Sequence, residues 1–264
     1  MIEQKENRFG LSGFQLKLIA LILMVIDHIG EFFAPLGTPV LLRWLGRLSA
    51  PIFCLMIAEG YRHTRSVKRY FLRIYIGFVI MGLGNFLLET FLPRSDAFPI
   101  ANNIFGLFAL AVFYMAAWDR LVVGLKEKSP ARLLSAAGMG LIPIALNAAL
   151  TLIQNEAVLR AAFIILPLRV EGGTAFLIFT IMLHVLRERK VFLSAFVLVF
   201  SLGAFPFGQP LSFALFSEFQ WMMVFSLPLM LAYNGRRGFA KQDFFYLFYP
   251  LHIWGLYIAS RFLI

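Results

Sequence analysis

The chain has 264 residues, is 60% hydrophobic and has a mean hydropathy of +0.80, values that exclude an ordinary soluble globular protein. Its net charge is +10 at pH 7, but apolar runs of about 20 residues leave no soluble domain on which a nucleic-acid-binding face could form. The single cysteine, Cys54, lies inside an apolar segment, which excludes a disulfide framework and a paired-cysteine metal site.

Apolar segments along the chain predict an all-α protein, a polytopic transmembrane helical bundle of about nine (8–10) spans. No linker or internal repeat divides the chain, so residues 14–264 are expected to form one transmembrane domain after a cytoplasmic tail, residues 1–13. The first segment is too long for a cleaved signal peptide and is expected to be retained. The segments are approximately 14–34, 40–61, 68–92, 99–118, 131–153, 173–186, 190–205, 211–232 and 242–263.

The placement of basic residues predicts which ends of the spans face the cytoplasm, because cytoplasmic loops carry an excess of Lys and Arg. The bias predicts a cytoplasmic N-terminus and an outer C-terminus. It requires the short apolar stretch 158–170, bracketed by Arg160 and Arg169, to be an interfacial or re-entrant half-helix rather than a span. The residues on the inner side are Lys5, Arg8, Lys17, Arg62, Arg65, Lys68, Arg69, Arg73, Arg120, Lys126, Lys128, Arg132, Arg187, Arg189, Lys190, Arg236, Arg237 and Lys241.

Ionisable side chains lie inside the first segment, where lipid normally excludes them. A lone charge at membrane depth costs roughly 2.5–3.5 kcal/mol on insertion scales, so such a residue faces a protein interior or a watery cavity. Lys17 and His28 are about three helical turns apart and lie on nearly one face with Glu31. Asp27 points about 100° away from His28, so Glu31 is better placed to orient the imidazole. Interhelical packing is the alternative role for Asp27 and His28.

The second segment begins with two arginines, Arg43 and Arg47, which are spaced i, i+4 and share a helix face. Arg47 lies deep enough in the segment to need an anionic partner or an anionic ligand. Asp27 or Glu31 could supply the partner, in which case the pair is structural.

The strongest basic run follows, YRHTRSVKRYFLR (61–73). The spacings of Arg62, Arg65, Arg69 and Arg73 predict a single helical stripe at the cytoplasmic edge. An ordinary positive-inside loop explains much of the run, but arginine is also the side chain suited to bidentate phosphate capture. The stripe indicates either anionic lipid headgroups or a phosphorylated cofactor that enters from the cytoplasm.

The last segment carries His252 near its middle, and Pro250 two residues earlier can free backbone carbonyls. Tyr246, Tyr249 and His252 are spaced by three residues and predict a polar stripe, for which packing is the alternative. The four histidines of the chain have no metal-ligand spacing, and no HExxH, P-loop or nucleophilic-serine motif is present. No metal is therefore expected.

Four stretches resemble the TraX family, the membrane proteins associated with N-terminal acetylation of conjugative pilin. The resemblance runs from residue 17 to the end and is weaker in the middle of the chain. The four blocks are specific when taken together, whereas each alone would be a weak signal. They are KLIALILMVIDHIG (17–30), RWLGRLSAPIFCLMIAEGYRHTRSVKRYFLR (43–73), LAYNGRRG (231–238) and FFYLFYPLHIWGLY (244–257).

The start of the chain is more distantly similar to the acyltransferase-3 membrane enzymes. These have a basic residue upstream of a histidine in the first helix and an RxxR element further along. Lys17 and His28 match the first pattern, with Lys in place of the family's Arg. The counterparts of the RxxR element are either Arg62 and Arg65 or Arg69 and Arg73.

These resemblances imply an acetyl-CoA-dependent N- or O-acyltransferase. His28 would act as general base on an acceptor amine or hydroxyl, or would briefly carry the acyl group. Arg47 or His252 would stabilise the developing oxyanion. The expected catalytic residues are His28, His252, Asp27 and Glu31, and the expected acetyl-CoA-binding residues are Lys17, Arg47, Arg62, Arg65, Arg69 and Arg73.

The resemblances also imply a multi-pass protein of the bacterial cytoplasmic (inner) membrane with a cytoplasmic N-terminus. Its partners would be membrane lipids and an acyl acceptor, either a pilin-like peptide, a glycan or a lipid, with no nucleic acid and with a homo-oligomer left open. Two other functions stay open. One is a proton-coupled transporter in which Asp27, His28 and His252 relay protons, and the other is a non-enzymatic membrane assembly factor.

Overall fold

The computed structural model describes residues 10–239 and 242–264, and within these ranges the chain is helical, with no β-strand. Lys5, Arg8 and Lys241, which contributed to the predicted charge bias, lie outside the described residues. The helices are α1 (Gly13–Phe32), α2 (Leu41–Gly46), α3 (Ser49–His63), α4 (Val67–Phe91), α5 (Ile104–Lys126), α6 (Pro130–Leu150), α7 (Glu156–Ile165), α8 (Gly173–Leu186), α9 (Lys190–Gly203), α10 (Leu211–Phe216), α11 (Leu227–Leu231) and α12 (Gln242–Leu263), with 3₁₀ turns at Ala34–Leu36 and Gln220–Ser226.

The described chain forms two compact units. The first contains the described residues up to Met56, the segment Leu92–Phe98 and the described residues from Val185 onward. The second contains Ile57–Phe91 and Pro99–His184. In the first unit α1 packs against α2 and α12, and in the second α5 packs against α4 and α6.

In the part of the chain that the structure describes, five helical stretches are long and apolar enough to cross a membrane: Gly13–Phe32, Leu41–His63, Val67–Phe91, Ile104–Lys126 and Pro130–Leu150. The all-α fold and the membrane character are therefore confirmed, whereas nine spans are not confirmed among the described residues. Helices α8 and α9 have 14 residues each, about 21 Å, which is less than the roughly 30 Å hydrocarbon core.

Two further features of the later segments separate them from the five candidate spans. The predicted segment 211–232 is divided into α10, a 3₁₀ turn and α11. Helix α12 has 22 residues, but His252, Pro250 and Arg261 dilute its apolar character. The stretch 158–170 overlaps the 10-residue helix α7 (Glu156–Ile165), which is about 15 Å long and so has the length of the predicted half-helix.

The approach of α2 to α1 depends on two glycines. A Cβ atom on Gly46 would lie 2.1 Å from the Cβ of Asp27, and one on Gly30 would lie 2.9 Å from the Cβ of Leu42. Small residues at a helix interface let two backbones come close enough for van der Waals and polar contacts. Gly46 thus allows the Asp27 carboxylate to lie directly against α2.

The substitution Gly46→Ala is expected to destabilise the protein by about 1–3 kcal/mol, because the Asp27 Cβ is too near the backbone to move away cheaply. Thermal unfolding in detergent measures the effect. Gly140→Ala is the matched control, since a Cβ there meets no atom within 4 Å. Equal melting temperatures for the two variants would show that α1 and α2 are not closely packed at Gly46.

A buried arginine fastens the end of α1 to α12. The Arg94 side chain is 0% exposed, and its Nη1 donates to the carbonyl oxygen of Phe32 at 2.8 Å and to Ser260 Oγ at 2.7 Å. Its Nε and Nη2 donate to the two carboxylate oxygens of Asp96, at 3.0 and 2.6 Å. The guanidinium also lies 4.7 Å from the ring centroid of Phe98. All three guanidinium nitrogens of Arg94 therefore donate hydrogen bonds, and the Asp96 carboxylate balances the buried charge.

The hydrogen bonds from Arg94 lower the pKa of Asp96 below its usual value. A carboxylate with a depressed folded-state pKa contributes stability that is complete above its unfolded pKa, about 4, and is lost as the pH falls through the folded pKa. The melting temperature is therefore expected to fall less below pH ~4 in Asp96→Asn than in the wild type. The control is Glu156→Gln, at an exposed carboxylate, which should follow the wild-type profile. Identical profiles for all three proteins would contradict this role of Asp96.

Candidate functional site at the paired histidines of α1 and α12

The structure brings two of the predicted site residues together in the first unit. His28 Nδ1 lies 2.9 Å from His252 Nε2, and the two rings are nearly stacked, with centroids 5.1 Å apart. His28 is 4% exposed and lies about one turn before the end of α1. The first and last helices of the described chain thus meet at an imidazole pair.

The second hydrogen bond of His252 decides where the protons lie. His252 Nδ1 is 3.0 Å from the carbonyl oxygen of Phe248, and a carbonyl can only accept, so Nδ1 carries the proton. For two neutral imidazoles, His252 Nε2 is then the acceptor and His28 Nδ1–H is the donor. His28 Nε2 keeps its lone pair, the form that a general base or a nucleophile requires.

Aromatic rings hold the imidazole pair in place. The Phe248 ring stacks on His252 with its centroid at 5.2 Å, and the Tyr249 ring meets His252 edge-on at 5.5 Å. Phe32, fully buried, lies 6.3 Å from the ring of His28 and is the residue whose carbonyl Arg94 binds. The packing restricts both side chains to the orientation that makes their hydrogen bond.

Beside the histidines, two carboxylates are paired with two arginines. Arg43 Nη1 donates to Glu31 Oε2 at 2.8 Å and lies 3.0 Å from Asp27 Oδ1. Arg47 Nη2 donates to Asp27 Oδ2 at 2.5 Å, and its Nη1 donates to Gln220 Oε1 at 3.1 Å. The four charges balance, which is how an ionic cluster persists in an apolar surrounding.

Of the two partners predicted for Arg47, Asp27 and Glu31, the contacts show Asp27. The expectation that Glu31 orients the His28 imidazole is wrong, because the partner of His28 is His252 and Glu31 accepts from Arg43 instead. Helical phase placed Glu31 on the right face of α1, but the guanidinium of Arg43 is the stronger donor within its reach.

Asp27, His28 and Glu31 bring ligand atoms within 4.8 Å of one another, so their donor types would suit a metal ion. Both carboxylates, however, are in contact with arginine. A cation at this place would have to displace a guanidinium that already neutralises the pair. The arrangement fits an internal ion-pair cluster better than a metal centre.

The predicted phosphate-binding arginines lie in the second unit and do not form one helical stripe. Arg62 is in α3, Arg65 lies in the turn that follows, and Arg69 and Arg73 are in α4. All four are exposed. The i, i+3 and i+4 spacings presumed an unbroken helix, but α3 ends at His63 and α4 begins at Val67.

A separate polar cluster in the second unit includes His184, one of the four histidines of the chain. His184 Nε2 lies 2.9 Å from Asp119 Oδ1, and the Tyr61 hydroxyl donates to Asp119 Oδ2 at 2.8 Å. These contacts link α3, α5 and α8. Both oxygens of the carboxylate are engaged, so the cluster serves to fasten three helices together.

A family model described as "TraX protein" matches residues 12–260. The chain belongs to the TraX family. A protein from Dichelobacter nodosus described as "Probable fimbrial assembly protein FimC, serogroup H1" is 30% identical over 264 residues, covering 96% of this chain and 97% of that protein. No solved structure matches the chain.

The TraX match contains the whole candidate site, including Lys17, His28, Arg47 and His252. The resemblance read from the sequence is thereby confirmed at the level of the family. Two residues of the site escaped sequence reasoning: Gln220, which binds Arg47, and Phe248, whose carbonyl fixes the tautomer of His252. A lone amide and a backbone carbonyl leave no pattern in the sequence by which to find them.

The proton positions make a spectroscopic prediction. In protein labelled with ¹⁵N-histidine and embedded in nanodiscs, His28 should show a protonated Nδ1 and an unprotonated Nε2, and His252 the same tautomer. Solid-state NMR identifies the two forms, and His63→Gln and His184→Gln assign the remaining signals. A His28 ring protonated at Nε2 alone would contradict the assignment.

Proposed function

We propose that this TraX-family protein is an integral membrane acyltransferase in which His28 Nε2 is the general base. The donor is acetyl-CoA and the acceptor is an amine or a hydroxyl. The observation that carries the proposal is the imidazole pair, whose backbone-anchored tautomer leaves the lone pair on His28 Nε2.

The proton transfers follow from this arrangement. His28 Nε2 removes the proton from the acceptor N–H or O–H as the acceptor forms its bond to the acyl carbon, and then returns that proton to the sulfur as the C–S bond breaks. While His28 carries the extra proton, its Nδ1–H···Nε2 bond to His252 shares the positive charge. Bound acetyl-CoA supplies the activated thioester carbonyl. The products are the acylated acceptor and the free thiol.

Arg43 and Arg47 take a positioning role in this proposal. Their guanidinium groups bind Asp27, Glu31 and Gln220, which fixes α2 and the 3₁₀ turn beside α1. Asp27 is 7% exposed and belongs to this support rather than to the proton path. Stabilisation of the developing oxyanion is left to a group other than Asp27 or Glu31, since an anion beside them would be repelled.

The acceptor class is proposed from the relative. The Dichelobacter nodosus protein is described as a fimbrial assembly protein, and the TraX resemblance implies modification of a pilin amino terminus. A pilin-like peptide amine is therefore the first acceptor to test, before a glycan or a lipid hydroxyl. The proposal places the protein in a bacterial cytoplasmic membrane with the start of α1 on the cytoplasmic side.

Purified protein in nanodiscs should release free thiol from acetyl-CoA when an acceptor peptide is present. His28→Ala should lower turnover by at least about 100-fold, since general bases contribute roughly 10²–10⁴-fold. His252→Gln should lower it by roughly 10–100-fold, because the tautomer of His28 is then less well fixed. His63→Gln, at an exposed histidine, is the matched control and should behave as wild type.

Two outcomes would overturn the proposal. One is wild-type protein that neither binds acetyl-CoA nor releases thiol with peptide, glycan or lipid acceptors. The other is His28→Ala and His252→Gln variants with wild-type turnover. Acceptor-dependent proton uptake by liposomes without thiol release would instead support the transporter hypothesis.

A further inference from the structure

We propose that Lys17 and Arg237 form a binding site for the phosphate groups of a nucleotide-type ligand, with Phe239 as an aromatic wall. The inference deepens the proposed function and rests on it for the identity of the ligand, the nucleotide portion of the acyl donor. In the sequence patterns Arg236 and Arg237 contribute to the charge bias and to the LAYNGRRG block, and no binding role is assigned to them or to Phe239. The site lies wholly within the first unit.

The loop that carries Arg237 is fixed on the start of α1. Leu11 N donates to the carbonyl of Ala232 at 2.7 Å, and Asn234 N donates to the carbonyl of Leu11 at 3.0 Å. The carbonyl of Arg237 accepts from Phe14 N at 3.0 Å. Gly238 has a φ of +71°, which reverses the chain directly after the arginine. The backbone position of Arg237 is thus determined by α1 itself.

This docking places two cations together. Lys17 is three residues beyond Phe14, close to one helical turn, and so lies on the same side of α1. Arg237 is held beside the same turn of α1, since its carbonyl oxygen accepts from Phe14 N, three residues before Lys17. Among the described residues, neither side chain takes part in an ion pair with a carboxylate within 4.0 Å. Two neighbouring cations repel each other, and a bound phosphate removes that repulsion.

The helix N-terminus is not the source of this site, because its amide groups are occupied. Gly13 N and Phe14 N donate to the carbonyls of Arg236 and Arg237, and Gln15 N donates to Ser12 Oγ. Anion binding therefore depends on the two side-chain cations. Substitutions of Lys17 and Arg237 can test it directly.

Aromatic rings border the cations. The Lys17 ammonium lies 5.7 Å from the ring centroid of Phe245, and Phe14 packs edge-on against Phe245 at 6.0 Å and against Phe239 at 5.6 Å. Phe239 is 77% exposed, so one face of its ring is open to stacking by a base. Cations next to an open aromatic face are the pattern that binds nucleotides by phosphate contact and base stacking together.

The distance to His28 fits an extended ligand. Lys17 and His28 lie on nearly one face of α1, about 16 Å apart along the helix axis. A ligand held by its phosphates at Lys17 must therefore carry its reactive end on an arm of about that length. Coenzyme A thioesters have this form, with phosphates and base at one end and the thioester at the other.

Equilibrium binding of coenzyme A to the full chain in phosphatidylcholine nanodiscs tests the site. Lys17→Gln and Arg237→Gln are each expected to weaken binding by about tenfold, the loss of one charge-assisted contact. Binding of pantetheine, which has no phosphate, should be the same in all proteins. Arg237→Lys should retain most of the affinity, and Arg160→Gln, at an exposed arginine of the second unit, is the matched control.

The outcomes separate this inference from the proposed function. Unchanged coenzyme A affinity in both Gln variants would overturn the site while leaving acyl transfer intact. The melting temperature of each protein is also measured in nanodiscs of increasing phosphatidylglycerol content. If the two Gln variants lose a dependence on that content which the wild type shows, while their coenzyme A affinity is unchanged, the cations bind a lipid headgroup and the nucleotide site is overturned. Phosphate-dependent binding that needs Lys17 and Arg237, without thiol release by wild type, would support the site and refute the transfer reaction. Each variant is compared only if it melts within a few degrees of wild type, and Arg237→Lys replaces Arg237→Gln if the latter does not fold.

Discussion

The hydrogen bond between His28 and His252 depends on how closely three helices approach one another. Helix α12 brings His252 to α1, and α2 lies against the other side of α1 through Gly30 and Gly46. Arg94 joins the end of α1 to α12 through the Phe32 carbonyl and Ser260. A helix shift that lengthened the 2.9 Å distance between His28 Nδ1 and His252 Nε2 by one ångström would take it beyond hydrogen-bonding distance.

The polar groups around this hydrogen bond form two separate sets of contacts. The carboxylates of α1 bind arginines of the α2 region, and the imidazoles bind each other and a backbone carbonyl. Because the ion pairs balance among themselves, they leave no net charge that would force a proton onto the histidines. The ion pairs of Asp27 and Glu31 are thus separate from the imidazole pair proposed to transfer protons, although Asp27 and His28 are adjacent in sequence.

The sequence predicted those parts of the fold and site that depend on local periodicity. It predicted the helical membrane architecture, the helix-face separation of Asp27 from His28, and a carboxylate of α1, Asp27 or Glu31, as the partner of Arg47. It did not predict the pairing of His28 with His252. Helical periodicity shows which residues share a helix face, but it does not show which helices pack against each other. The prediction of a single arginine stripe was wrong because the turn between α3 and α4 interrupts the helix that the prediction assumed. The buried role of Arg94 had no periodic signal at all.

The imidazole pair joins residues 224 positions apart, nearly the whole length of the chain. During synthesis α1 is therefore made long before its partner, and His28 spends that interval without the hydrogen bond that fixes its proton. Contacts of such separation form late and require most of the intervening chain to be in place. The candidate site is thus assembled only when the last helix has docked, so chains truncated before α12 would hold every residue of α1 and still lack the reactive form of His28.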